Sequence, residues 1–206
     1  MFNPSSVVIE AFLVELRLKY SNLFGDNTDN TQLLNSAARN ALEIIANSDA
    51  PYHDMNHTIM VTMVGTEILG GKFLVEGSIN ERDWIHFVIS LLHHDIGYVR
   101  GICQADCSGR YAINDDETIS LAPGATDAAL TPFHVDRAQL YIRERFLRDD
   151  RVDADIICSN IERTRFPVPS EKDHQETSDL PGLLRAADLI GQLADPQYIN
   201  KVSRLF

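Results

Sequence analysis

The sequence predicts an all-α fold, a single helical bundle that spans residues 1–206. Apolar residues recur mostly at spacings of three to four, as one face of an α-helix requires, and no stretch keeps up the alternation of a half-buried strand. Apolar residues make up 44% of the chain, and 206 residues suffice for one buried core but not for two domains. No repeat or linker divides the chain.

Capping residues and glycines set the expected helix boundaries. The predicted helices lie, to within a few residues, at 5–24, 31–48, 53–76, 80–96, 131–149, 153–165, 180–194 and 197–205. Gly25 closes the first helix. Asn80 is a good N-cap for the fourth, with Asp83 three residues later. Thr131 and Pro132 form a cap followed by proline at the first helical position, which opens the fifth.

One segment, at about 98–130, does not fit a helical pattern. Four glycines punctuate it or precede it directly: Gly97, Gly101, Gly109 and Gly124. Residues 110–121 could form a small hairpin around Asn114, Asp115 and Asp116. Connections this long usually serve as lids or binding loops, and a merely tolerated insertion is the alternative.

Charge and cysteine content exclude several classes of protein. With 18 basic and 30 acidic residues the net charge is −12, so we expect no binding to nucleic-acid duplexes. No apolar run approaches the roughly 20 residues that span a bilayer, and the first residues lack the basic start of a signal peptide. The three cysteines, Cys103, Cys107 and Cys158, cannot form a disulfide framework, which favours a cytoplasmic setting.

The C-terminal sequence leaves the assembly open. The chain ends at Arg204, Leu205 and Phe206, inside an amphipathic segment without a polar tail. This ending fits a domain cut from a longer polypeptide and equally a helix that docks on a partner. Additional domains and a homo-oligomer both remain open.

Two carboxylates occupy positions that look like core. Asp95 ends an apolar helix, and Asp188 is embedded in the apolar stretch 183–190. Carboxylates are seldom buried unless they are paired or bound to a metal. A single one could cap a helix or pair with an arginine, but two histidine clusters accompany this pair.

The histidines complete a set of metal donors. His53 and His57 are four residues apart on a predicted helix and share a face. His94 lies next to Asp95, about 100° away around the helix. His57, His94, Asp95 and Asp188 thus offer mixed nitrogen and oxygen donors, which suit Mn, Fe, Zn, Co or Ni rather than Ca.

These residues carry a resemblance to a known superfamily. The order His57, His94-Asp95, Asp188 resembles the spaced H…HD…D signature of the HD superfamily of metal-dependent phosphohydrolases. Tyr52-His53-Asp54-Met55-Asn56-His57 is similar to the Tyr-His-Asn-x-x-His segment of class I cyclic-nucleotide phosphodiesterases, and Ala187-Asp188-Leu189 resembles the segment around their last metal ligand. Leu130-Thr131 followed by His134-Val135 is similar to HD-GYP cyclic-dinucleotide phosphodiesterases. The resemblance covers roughly residues 50–195.

The resemblance implies a fold, a metal site and a reaction. It implies an HD-type helical bundle with one or two divalent ions (Mn, Fe, Zn, Co, Ni or Mg) held by His57, His94, Asp95 and Asp188. Asp95 would bridge to a second ion, a bridging hydroxide would attack phosphorus, and His53 would protonate the leaving group. Asp54 replaces the motif's asparagine, and the Gly-Tyr-Pro motif of HD-GYP proteins is missing, so we expect no trimetal site.

Four further residues are weaker candidates. His134 could bind a second metal or simply cap a helix. Gln192, one turn after Asp188, could face the same pocket and bind substrate. Arg163 and Arg165 could bind phosphate, although either could pair with a surface carboxylate.

Together these observations predict an enzyme that hydrolyses a phosphate ester of a nucleotide or cyclic nucleotide, a small phosphorylated substrate. The alternatives are a sensor that binds a nucleotide in the same pocket with little or no turnover, and a helical domain that the metal merely stabilises.

Overall fold

Eight α-helices and one short hairpin make up the described part of the chain, residues 3–202 of a computed structural model. The helices are α1 (Pro4–Phe24), α2 (Thr28–Ile45), α3 (Met55–Glu76), α4 (Glu81–His93), α5 (His134–Phe146), α6 (Ala154–Glu162), α7 (Leu180–Ala194) and α8 (Tyr198–Val202). Strands β1 (Arg110–Ala112) and β2 (Thr118–Ser120) pair antiparallel, with Tyr111 opposite Ile119. The predicted mostly helical single domain is confirmed, and so is the hairpin.

Side-chain caps explain where most helices begin. The side chains of six N-cap residues accept backbone N–H groups of the first turn: Asn3, Asn27, Asp54, Asn80, Asp153 and Asp179. Asn80 was predicted as a cap, whereas Asn27 was not, and α2 therefore starts three residues earlier than expected. The predicted last helix is described only as far as Val202, and residues 203–206 lie outside the described part.

Two helices begin two or three residues later than predicted, at Met55 and His134. Asp54 accepts the N–H of His57 through Oδ1 at 2.9 Å, so helix α3 begins at Met55 and His53 lies in the bend before it. Thr131 and Pro132 lie within a 3-10 helix, Asp127–Phe133, and α5 begins after it. The Thr131 hydroxyl donates to the Ala128 carbonyl instead of capping α5.

Helix α4 lies at the centre of the bundle, and its last ten residues, 84–93, are all buried. It packs against α2, α3, α6 and α7, while α3 and α7 pack closely side by side. Gly191 permits this approach, because a Cβ there would lie 2.8 Å from Val61 Cγ2. The C-terminal end of α4 lies close to both α3 and α7, and the candidate metal ligands on these three segments meet there.

Helix α3 corrects one expectation from the sequence. Among the described residues it is the one helix that is long and apolar enough to cross a membrane, by length and composition alone. The expectation that no apolar run approaches that length is therefore wrong. In this structure α3 packs against α4 and α7 and carries the buried His57.

The long segment after α4 is fastened to the bundle. Arg137 on α5 is fully buried and donates to the carbonyls of Gly97 (2.8 Å) and Val99 (2.9 Å). The same guanidinium makes two hydrogen bonds to Asp106, whose carboxylate also accepts the N–H of Ala112 at 2.8 Å. The first part of the loop, as far as strand β1, is thereby tied to α5.

Candidate metal centre

Four side chains from three parts of the chain converge at one point. His57 comes from α3, His94 and Asp95 from the end of α4, and Asp188 from α7. Nε2 of His57 lies 3.2 Å from Asp95 Oδ2 and 3.3 Å from Asp188 Oδ1. Nε2 of His94 lies 3.1 Å and 3.6 Å from the same two oxygens. We call these four residues the His/Asp cluster.

The donor atoms of the His/Asp cluster are placed as ligands of one ion would be. Nε2 of His57 and Nε2 of His94 are buried and have no hydrogen-bond partner, although carboxylate oxygens lie close by. Nδ1 of His94 is hydrogen-bonded to the Leu91 carbonyl at 2.8 Å, so one proton lies there and Nε2 is the nitrogen that could bind an ion once its own proton has left. Ligands about 2.1 Å from one ion are about 3.0 Å apart in octahedral and about 3.4 Å apart in tetrahedral geometry. The measured spacings of 3.1–3.6 Å fit a bound cation.

Two overlapping triads could hold the ion. One consists of His57, His94 and Asp188, and the other of His53, His57 and Asp95. In each, one ligand atom per residue lies within 4.8 Å of the others. The overlap at His57 makes this one continuous donor surface rather than two separate sites.

Charge and burial oppose each other in the His/Asp cluster. Burial alone would lower the pKa of His57, but the neighbouring Asp188 and Asp95 outweigh it and raise that pKa to about 9. Burial also opposes the charged form of His94, and the same carboxylates raise its pKa well above the usual value. Burial would raise the pKa of both aspartates, yet the histidines hold it below the usual range. Without a cation the histidines therefore retain protons that a metal would have to displace.

His53 lies beside the cluster and closer to solvent. Its Nδ1 donates to Asp95 Oδ2 at 2.9 Å, and its side chain is 18% exposed, compared with 2% for His57. The same carboxylate thus faces the histidine nitrogens of the cluster and orients a further imidazole at the edge of the site.

Two aromatic residues that sequence reasoning missed complete the surroundings of His53. The ring of Tyr98 stacks on the His53 ring with centroids 4.1 Å apart and an interplanar angle of 14°. The ring of Tyr52 contacts both His53 and His57, with centroids 5.2 Å away in each case. Tyr52 belongs to the quoted motif and could have been found from it. Tyr98 reaches the site only through the 3-10 turn Ile96–Tyr98 that follows α4.

The four weaker candidates are placed differently from one another. His134 also stacks on Tyr98, with centroids 4.5 Å apart, and belongs to neither metal triad. Gln192 is half-buried beside the hydroxyl of Tyr52, close to the cluster. Arg163 pairs with Asp179 at 2.9 Å.

Arg165 holds Asp136 with two hydrogen bonds of 2.9–3.0 Å and also pairs with Glu162. Among the described residues, no contact joins Arg163 or Arg165 to the His/Asp cluster. Their role in binding phosphate stays a prediction, and their described partners are carboxylates.

The chain belongs to the Npun_R2479-like family, whose family model matches residues 2–206. No curated protein and no solved structure matches the chain. The description of the family names no activity, so any functional proposal rests on the geometry of the His/Asp cluster.

Proposed function

We propose that this member of the Npun_R2479-like family is a metal-dependent phosphohydrolase of the HD type, acting on a small phosphate ester. One observation carries the proposal. Two buried imidazole nitrogens without hydrogen-bond partners face two carboxylates at ligand spacing. A folded chain does not leave buried polar atoms unpaired without cost, and a cation satisfies all four donors at once.

The residues of the His/Asp cluster would hold the ion: His57, His94, Asp95 and Asp188. A divalent ion bound there would act as a Lewis acid and would lower the pKa of a bound water molecule to near neutral. The protein's own contribution is to keep the donors buried and to present His53, with its Nδ1 on Asp95, as a proton donor to the leaving oxygen. The H…HD…D order and the similarity of segment 52–57 to cyclic-nucleotide phosphodiesterases support a nucleotide or cyclic nucleotide as the substrate.

The metal content of the purified protein tests whether the His/Asp cluster binds an ion. Wild type and the variants Asp95→Ala and His86→Gln are loaded with manganese, desalted and analysed for metal. His86 is a suitable control, because it is buried and both its nitrogens are already bonded, to the Arg82 carbonyl and the Asp153 N–H. We expect at least one ion per chain in wild type and His86→Gln and loss of the ion in Asp95→Ala. No bound metal in wild type would refute the proposal.

Turnover measurements test whether the protein hydrolyses a phosphate ester. The loaded protein is offered nucleoside monophosphates, cyclic nucleotides and simple phosphate esters, and release of phosphate or opening of the ring is measured. We expect His53→Ala to keep its metal and to lose about 10²–10⁴-fold in rate on esters with poor leaving groups, as the loss of a general acid predicts. Tight binding of an unaltered nucleotide without turnover would favour the sensor alternative instead.

A further inference from the structure

We propose that Tyr98 is a positioning residue that fixes the orientation of His53; this inference rests on the proposed function of His53 as proton donor. The Tyr98 ring stacks with two imidazoles, whose own centroids are 6.4 Å apart. His53 stacks on it at 4.1 Å and 14°, and His134 stacks on it at 4.5 Å and 18°. Tyr98 is only 3% exposed, so this stack is an internal part of the site.

His53 needs such support because of where it lies in the chain. It precedes the N-cap Asp54 and so lacks the rigid backbone of helix α3. Within the described residues, Asp95 is the hydrogen-bond partner of its side chain. One hydrogen bond at Nδ1 leaves the plane of an imidazole free to turn about that bond. A ring stacked flat on its face fixes the plane, and with it the direction of the second nitrogen.

Tyr98 is itself held to the same piece of chain as the cluster. Its backbone N–H donates to the Asp95 carbonyl at 3.1 Å, within the 3-10 turn that follows α4. The carbonyl of Gly97 is held by buried Arg137 at 2.8 Å. Nδ1 of His134, the other imidazole stacked on Tyr98, is hydrogen-bonded to the Thr131 carbonyl at 2.7 Å. The carboxylate that bonds His53 and the ring that stacks on it are therefore carried by one rigid turn.

The stack has a consequence that depends on the leaving group. A misdirected proton donor slows only those reactions whose leaving oxygen needs a proton. An alkoxide leaving group needs one, whereas 4-nitrophenolate departs readily without it. A loss of metal or of general stability would slow the two reactions alike. The ratio of the two rates therefore reports on the orientation of His53.

The test compares Tyr98→Phe with Tyr98→Leu in the manganese-loaded full chain. Each is assayed on 4-nitrophenyl phosphate and ethyl phosphate, or on the matching diesters. We expect Tyr98→Leu to lower kcat on the ethyl ester about 10–100-fold, the scale of a small misplacement of a catalytic group. We expect kcat on the nitrophenyl ester, KM and metal content to change by less than about threefold, well below that scale. Tyr98→Phe, which keeps the ring, should resemble wild type on both esters.

Tyr141→Leu is the matched control. Tyr141 is buried and stacks on His93, a histidine outside the His/Asp cluster, with centroids 6.0 Å apart. This variant loses the same kind of stack and should leave the ratio of the two rates unchanged. An equal effect of Tyr98→Leu on both esters, or a loss in Tyr98→Phe as large as in Tyr98→Leu, would overturn the proposal.

An NMR measurement on metal-free protein separates this inference from the proposed function. The Nδ1–H signal of His53 is assigned by its disappearance in His53→Gln. We expect it to be protected from solvent exchange in wild type and Tyr98→Phe, and exposed to exchange in Tyr98→Leu. Retained protection in Tyr98→Leu would overturn the positioning role, even if no ester were hydrolysed by any variant. Absence of turnover with the expected NMR result would refute only the proposed function.

Discussion

The metal-free protein should lose stability as the pH rises from about 6.5 to about 9. The pKa of His57 is raised from 6.5 to about 9 in the folded chain, because Asp188 and Asp95 outweigh the effect of burial. Below pH 6.5 the imidazole is protonated in both states, and the stabilising contribution is fully present. Above that pH the unfolded chain releases the proton while the folded chain keeps it, so the contribution declines and is gone above about pH 9.

The shift of His57 sets the size of the effect. A rise of the pKa from 6.5 to about 9 corresponds to at most about 3–4 kcal/mol, at about 1.4 kcal/mol per pK unit. This is a large share of the roughly 5–15 kcal/mol that stabilise a typical domain. Because His94 shares both carboxylates with His57, the two contributions do not add independently.

Urea unfolding of chelator-treated protein at pH 6 and pH 9.5 measures the effect. The difference in unfolding free energy should be clearly smaller in His57→Gln than in wild type, and unchanged in His86→Gln. Metal-loaded wild type should behave in the opposite way, since the ion displaces protons and binds more strongly as the pH rises through the same window. An equal pH dependence in metal-free wild type and His57→Gln would refute the assigned coupling between His57 and the carboxylates.

Three further predictions concern the supports of the site, each measured by urea unfolding. Gly97→Ala should lower the free energy of unfolding by about 1–3 kcal/mol or more and weaken metal binding, because its Cβ would lie 1.8 Å from the His134 carbonyl oxygen. In the control Gly70→Ala the new Cβ meets no atom within 4 Å, so the stability should not change. Equal losses of stability in the two variants would contradict the predicted clash. Arg137→Met should lower the free energy of unfolding by about 3–5 kcal/mol, because it leaves Asp106 buried without its partner. A loss below about 1 kcal/mol would show that the Asp106–Arg137 pair does not hold the loop to the bundle. Asp54→Ala should lower the free energy of unfolding by about 1 kcal/mol and Asp54→Ser by much less, since serine can still cap helix α3. Similar losses in the two variants would show that the cap does not contribute to stability.

The sequence predicts best what depends on local features. Helix α7, residues 180–194, was predicted to the residue, because apolar spacing and a capping residue lie within a few positions of each other. The His/Asp cluster could be proposed because a carboxylate such as Asp188 on an apolar helix face needs a partner that the chain itself does not supply nearby. In the structure Asp188 lies beside histidines from α3 and from the end of α4, and sequence periodicity alone could not predict which histidines it would meet.

What the sequence did not predict depends on contacts between distant segments. Arg165 was a candidate for binding phosphate or for pairing with a surface carboxylate, and its partner Asp136, 29 residues away in sequence, could not be identified from a local pattern. The stack of His53, Tyr98 and His134 joins three segments and leaves no local pattern. His53 was placed on α3 because a spacing of four residues suits a helix, but the cap at Asp54 is a more local constraint and decided the boundary.

The first part of the long loop is fixed to the bundle by hydrogen bonds to a buried arginine. Loops of this size usually act as lids or binding loops, and that role stays a prediction here. Here buried backbone groups must find partners, and Asp106 accepts the N–H groups of Gly101 and Ala112 while it holds Arg137. Arg137 in turn holds the carbonyl of Gly97, which lies in the 3-10 turn Ile96–Tyr98 directly after Asp95. The fixed first part of the loop thus supports the His/Asp cluster, so weakening the Asp106–Arg137 pair should disturb the positions of Asp95 and Tyr98.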